Sequence, residues 1–237
     1  MKTNISKKEI DNLNKIIDKN SEKISKNYQL SPNSFSNEDI IEGIKVIVSK
    51  KITMSKKTIE FEKKFSKFIG SKYALMVNSG SSANLLAMFA MINPAKIDKL
   101  KPGDECLIPA LCWSTSLWPI VQAGLTPKFV DIDPKTLNLS IDDLKKKITK
   151  KTKAIMAVHI LGNSTNMNEL MKIIKKNKIR LIEDTCEALG SKFKGRYLGN
   201  FGSFGTYSFY YSHQITAGEG GMIVCNNKKD YQIIHSL

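Results

Sequence analysis

From Tyr73 onward the chain alternates short apolar runs with stretches whose apolar residues recur every three or four positions. The runs at 74–77, 105–108, 128–130, 154–158, 180–183 and 222–225 predict strands, and the periodic stretches at 82–91, 116–123, 141–148 and 167–177 predict helices between them. Strands that alternate with helices pack as a mostly parallel, doubly wound sheet covered on both faces. Ligands of such sheets sit at the carboxyl ends of the strands.

Before Tyr73 the pattern is different. Residues 1–30 read as a polar, helical arm, and the Ser31 to Asn37 segment is rich in turn formers. A helix is expected to start at Asn37 or Glu38, with Ile40, Ile41 and Ile44 on one face. Ile59, Phe61, Phe65 and Phe68 predict a second helix, which Gly70 ends. The organisation implied is a helical N-terminal arm over 1–50 and one α/β domain over 51–237. The last residues, Ile233 to Leu237, keep helical spacing up to the final position, so a truncated chain is expected.

Composition narrows the function classes. At 237 residues and 41% hydrophobic, the chain can bury a full core. Its apolar runs are too short to span a bilayer, and its lysine-rich N-terminus has no apolar signal core, which together imply a cytoplasmic protein without membrane partners. The formal charge of +15 raises a nucleic-acid reading, but the lysines are scattered along probable helix faces rather than gathered with aromatics. No nucleic-acid partner is therefore expected, although a diffuse positive field favours the approach of anionic ligands. Cys106, Cys112, Cys186 and Cys225 form no CxxC pair and no zinc-ligand spacing, which leaves reduced thiols and no metal.

Four segments carry candidate chemistry. Asn78-Ser79-Gly80-Ser81-Ser82-Ala83-Asn84 follows a strand and opens a helix. Its Gly80 permits close backbone approach, while Ser81, Ser82 and the helix N-terminus offer donors to a phosphate; a plain serine cap is the other reading. Leu181-Ile182-Glu183-Asp184-Thr185-Cys186-Glu187 is an apolar strand that delivers Asp184 at its end, either to a ligand or as the cap of the next helix. Pro109-Ala110-Leu111-Cys112-Trp113 presents an aromatic after a strand, where Trp113 is either core or a stacking surface. The fourth segment runs from Tyr207 through Ser208 and His213 to Gly218-Glu219-Gly220-Gly221, and no lysine occurs between Lys194 and Lys228.

Taken in this order, the four segments resemble the DegT/DnrJ/EryC1/StrS family of fold-type I pyridoxal phosphate enzymes over roughly residues 50–237. The resemblance implies the three-layer, mostly parallel α/β large domain of the aminotransferases, with the smaller C-terminal domain missing. It implies that Gly80, Ser81, Ser82 and Ser208 cradle the cofactor phosphate, that Trp113 lies against its ring, that Asp184 pairs with its ring nitrogen, and that Glu187 contacts it where many members have glutamine. The family's aminotransferases hold pyridoxal phosphate on a lysine, and His213 stands at that position. An imidazole cannot make the lysine's covalent bond but can move a proton near neutral pH.

This departure matches the family's 3-dehydratases, which act on nucleotide-linked 4-keto-6-deoxy sugars with pyridoxamine 5'-phosphate. The implied enzyme uses His213 as acid and base in deoxysugar or surface-polysaccharide biosynthesis, works as a homodimer, and is reset by glutamate as amine donor or by a reductase. Cys186 falls where cluster-bearing members have one iron–sulfur ligand. The other three cysteines do not match that family spacing, so an unligated Cys186 is favoured. The readings left beside the dehydratase are a sugar aminotransferase using a lysine from elsewhere, and a non-catalytic relative.

Overall fold

The computed structural model describes residues 5–21, 34–53 and 55–237. The chain divides into two compact units, Met1–Phe61 and Glu62–Leu237. The first contains α1 (Lys7–Asn20) and α2 (Asn37–Val48), each opened by a capping box: Ser6 with Glu9, and Ser36 with Asp39. The turn expected before α2 lies partly outside the described residues, since Ser31 to Asn33 are not among them. α3 (Lys56–Ile69) follows, and Gly70 ends it with φ 77°.

In the second unit the strands are β1 (Tyr73–Val77), β2 (Glu105–Pro109), β3 (Thr126–Val130), β4 (Thr152–Val158), β5 (Arg180–Asp184), a small hairpin of β6 (Lys192–Phe193) and β7 (Arg196–Tyr197), β8 (Phe204–Ser208) and β9 (Gly221–Cys225). The helices are α4 (Gly80–Ile92), α5 (Ser114–Gln122), α6 (Ile141–Lys147), α7 (Met167–Asn177) and α8 (Lys228–Ser236). Seven strands form one sheet in the order β1-β9-β8-β5-β4-β2-β3. Only β9 runs against its neighbours, so the others end on the same edge.

The pleat divides the core in two. Cys106, Ile108, Ala154, Met156, Val158 and Ile182 pack with α4 and with Ile120 of α5 and Ile233 and Ile234 of α8 on one face. Leu107, Ile155, Ala157 and Leu181 pack with Leu144 of α6 and the apolar stripe of α7 on the other. This is the expected three-layer α/β arrangement. α4 is apolar nearly all round after its first turn, as a helix buried against the sheet must be.

Two features depart from the periodicity reading. β8 is a central strand that the apolar pattern does not reveal. All five of its residues are buried, and its polar Thr206 and Ser208 are accommodated by hydrogen bonds. β9 returns antiparallel because it follows β8 through a hairpin-like loop rather than a helical crossover. No helix among the described residues is long and apolar enough to cross a membrane.

Candidate active site

The loops that follow β1, β2, β4, β5 and β8 leave the same edge of the sheet and surround a cavity of about 440 Å³. At its floor Ser79 caps α4: its hydroxyl accepts the Ser82 N–H at 3.1 Å, leaving the first turn of the helix directed at the cavity. Gly80 is buried there, and a Cβ on it would lie 2.6 Å from Ser208 Cβ and 2.8 Å from Cys186 Sγ. Gly221 of β9 passes equally close, since a Cβ on it would meet the Ser79 carbonyl oxygen at 2.3 Å. These glycines therefore let the Ser79–Ser81 turn settle onto Ser208, whose hydroxyl accepts the Tyr210 N–H at 3.2 Å. A helix N-terminus, the exposed Ser81 and Ser208 line one side of the cavity, a donor set able to act as an anion cradle.

Opposite the cradle, β5 delivers Asp184. Its Oδ2 accepts from Asn84 Nδ2 at 2.7 Å and from Ser116 Oγ at 2.7 Å, while Oδ1 accepts the Cys186 N–H at 3.1 Å. The residue before it, Glu183, points to the other side of the strand and is fully buried. It accepts three backbone N–H groups, from Gly199, Phe201 and Gly202, and faces His159 Nε2 at 3.4 Å. The Thr165 N–H donates to His159 Nδ1 at 3.3 Å, so Nε2 carries the ring proton towards Glu183. The His159 N–H in turn holds the Asp184 carbonyl at 3.1 Å. This buried pair fixes the backbone on which Asp184 sits.

His213 occupies the loop between β8 and β9. The loop is tied at its base by Phe209 N–H to the Gly220 carbonyl at 2.8 Å and by Ala217 N–H to the Phe209 carbonyl at 3.0 Å. Half-burial pushes the His213 imidazole below its ordinary value, against the opposing pull of the Glu187 and Asp184 charges. Glu187 joins three segments. Its carboxylate accepts the Leu161 N–H at 2.9 Å, holding that residue at φ 50°, and its carbonyl accepts Gln214 Nε2 beside His213 at 2.8 Å.

Of the residues singled out in the sequence, Gly80, Ser81, Trp113, Asp184, Glu187, Ser208 and His213 all line the one cavity. Ser82 does not; its N–H donates to Ser79 Oγ at 3.1 Å and its hydroxyl accepts from Ser79 Oγ at 3.1 Å. Trp113 stands at the N-cap of α5, 71% exposed at the rim. Cys186 lies under Gly80, and burial together with the Asp184 carboxylate pushes its thiol well above the usual range. Among the described residues no group of three or more His, Cys, Asp or Glu side chains is placed to hold a metal ion. Asn84, Ser116, Thr206 and the His159–Glu183 pair were not singled out. Their one advance signal is polarity inside otherwise apolar elements.

The order and spacing of these elements match the DegT/DnrJ/EryC1/StrS aminotransferase family over residues 34–237. The chain belongs to that family. It is 41% identical over 212 residues to a GDP-4-keto-6-deoxy-D-mannose 3-dehydratase of Yersinia pseudotuberculosis, covering 90% of this chain and 54% of that one. It is 45% identical over 208 residues to the enzyme of the same name from Escherichia coli O55:H7, covering 88% and 53%. A solved GDP-4-keto-6-deoxymannose-3-dehydratase with a trapped PLP-glutamate geminal diamine superposes with a TM-score of 0.84 at 43% identity, over 88% of this chain and 54% of that one. The chain thus spans about half the length of the curated relatives it matches, and the likeness supports the fold-type I α/β class.

Proposed function

We propose that this chain forms the cofactor-binding domain, residues 51–237, of a pyridoxamine/pyridoxal 5'-phosphate-dependent 3-dehydratase that acts on a nucleotide-linked 4-keto-6-deoxy sugar, with GDP as the nucleotide favoured by the relatives. The observation that carries this reading is His213, which shares one cavity with an anion cradle and a strand-end carboxylate in a loop that contains no lysine. The residues present fit the cofactor. Ser79, Gly80, Ser81 and Ser208 would hold its phosphate, Asp184 would pair with its ring nitrogen, and Trp113 would cover the ring from the rim. When bound, the cofactor supplies an amine for the sugar ketone and an electron-accepting ring.

The chain's own residues supply the proton transfers. At neutral pH the lowered His213 favours its neutral form, so a ring nitrogen would be free to take the proton released by the carbon that bears the cofactor's amine. The imidazolium that results then delivers that proton to the C3 hydroxyl as it leaves as water. The Glu187 charge opposes the lowering and so favours uptake of the proton that the imidazole later returns. With no lysine tether, retention of the cofactor rests on the cradle and Asp184. Glutamate as amine donor, a homodimeric assembly and a cytoplasmic setting complete the proposal, and the glutamate adduct in the solved relative favours that donor over a reductase.

The test is to load the purified chain with pyridoxal phosphate, reduce with borohydride, dialyse, and read absorbance and intact mass. Cofactor that leaves on dialysis, with no mass added to the protein, is expected. A reduced adduct on a lysine would establish the aminotransferase instead, and failure to bind either cofactor form would favour a non-catalytic relative.

A further inference from the structure

The two oxygens of Asp184 are not equivalent. Oδ2 accepts two hydrogen bonds, from Asn84 Nδ2 and Ser116 Oγ, both at 2.7 Å, whereas Oδ1 accepts one, from the Cys186 N–H at 3.1 Å. A carboxylate oxygen offers about two lone-pair sites, so Oδ2 is filled, whereas the capacity left on the carboxylate is contested only by the Cys186 thiol, a weak donor. The orientation of the Asn84 amide decides this asymmetry, and both Thr206 and the Thr115 carbonyl, which accepts Asn84 Nδ2 at 3.4 Å, agree with it. The Thr206 hydroxyl lies 2.6 Å from Asn84 Oδ1 and 3.3 Å from the Glu183 carbonyl. Were its proton given to Glu183, the amide would have to turn, and an amide oxygen would face the Asp184 carboxylate at 2.7 Å with no proton between them. The proton therefore goes to Asn84, and the Asn84 NH2 goes to Asp184. Asn84, Ser116 and Thr206 are all buried to 1% exposure or less, so their polar groups are satisfied mainly by one another and by Asp184.

We propose that Asn84 and Ser116 are positioning residues. By filling Oδ2 they lock the plane of the Asp184 carboxylate and direct the remaining lone pair of Oδ1 at a protonated ring nitrogen, with Thr206 holding the register of the chain. The four groups come from α4, α5, β5 and β8, so the clamp also joins the cradle helix to the strand that carries the carboxylate. This rests on the reading of Asp184 as the partner of the cofactor ring.

The test compares two ligands on the purified chain: pyridoxamine phosphate, and its analogue with a C–H in place of the ring nitrogen. Wild type should bind the natural ligand more tightly. Ser116→Ala and Asn84→Ala should each weaken pyridoxamine phosphate by about tenfold, the worth of one hydrogen bond to a charged group, and leave the analogue unchanged. Equal weakening of both ligands would make the residues merely structural and overturn the proposal. A wild type indifferent to the ring nitrogen would instead overturn the reading of Asp184 itself. Should Asn84→Ala not fold, Ser116→Ala carries the comparison, since it deletes one hydroxyl. A ligand-free crystal structure of Ser116→Ala/Thr206→Val gives a second readout, in which a rotated Asp184 carboxylate is expected and an unmoved one refutes the clamp.

Discussion

Replacing Gly221 by alanine tests whether the close passage of β9 beneath the Ser79–Ser81 turn builds the anion cradle. The new Cβ would lie 2.3 Å from the Ser79 carbonyl oxygen, 2.4 Å from its carbon and 2.7 Å from the Gly80 nitrogen, all backbone atoms that no rotamer change can move. Carbon atoms in contact sit about 3.5–4.0 Å apart, so strand and turn must separate by roughly 1 Å. Overpacking of that kind costs about 1–3 kcal/mol, and at about 2–4 °C per kcal/mol the midpoint should fall by roughly 2–12 °C. Affinity for pyridoxamine phosphate should fall as well, because the displaced turn carries the cradle. Gly43 is the matched control. It lies inside α2 with nothing within 4 Å of its Cβ position, so alanine there should stabilise by about 0.5–1 kcal/mol. Thermal unfolding by circular dichroism and a cofactor titration read both variants. A Gly221→Ala chain with unchanged midpoint and affinity would refute the argument.

Glu187→Gln removes a charge that raises His213 while its amide oxygen can still accept the Leu161 N–H. The acid limb of kcat/KM, set by protonation of His213, should therefore move to lower pH. A limb that stays put would exclude Glu187 as the tuning charge. Because His213 sits below its unfolded value of about 6.5, stability present above that pH is lost as pH falls through the folded value, and His213→Asn should flatten that part of a stability–pH curve. Lys96→Met strands Asp230, its buried ion-pair partner, which should cost about 3–5 kcal/mol. Adding Asp230→Leu should restore most of the lost midpoint; continued loss in the double variant would show that the pair is not what holds α8. His213→Lys should create a borohydride-reducible bond to pyridoxal phosphate, visible by intact mass.

The parts of the fold legible in advance were those with local causes. The helix over 167–177 has an apolar stripe at helical spacing and an Asn166 cap, and it appears with the bounds expected. Asp184 and His213 could be picked out because strand-end carboxylates and motif loops are local patterns. β8 was not legible, because Phe204-Gly205-Thr206-Tyr207-Ser208 shows neither alternation nor an apolar run. It is buried on both sides, and its polar groups find partners such as Asn84, 122 positions away. The same holds for the clamp on Asp184, whose donors lie 100 and 68 positions distant. Ser82 lies off the cavity lining for a local reason: its N–H donates to Ser79 Oγ and its hydroxyl accepts from the same group.

The most direct test of the account is turnover by the full-length enzyme that contains this domain, and by its His213→Asn variant, on a GDP-linked 4-keto-6-deoxymannose, with pyridoxal phosphate and glutamate, following loss of the C3 hydroxyl by NMR. The account predicts a 3-deoxy product from wild type and a rate about 10²–10⁴-fold lower from the variant, which retains cofactor binding. An undiminished rate in the variant, or an amino sugar as the wild-type product, would contradict it.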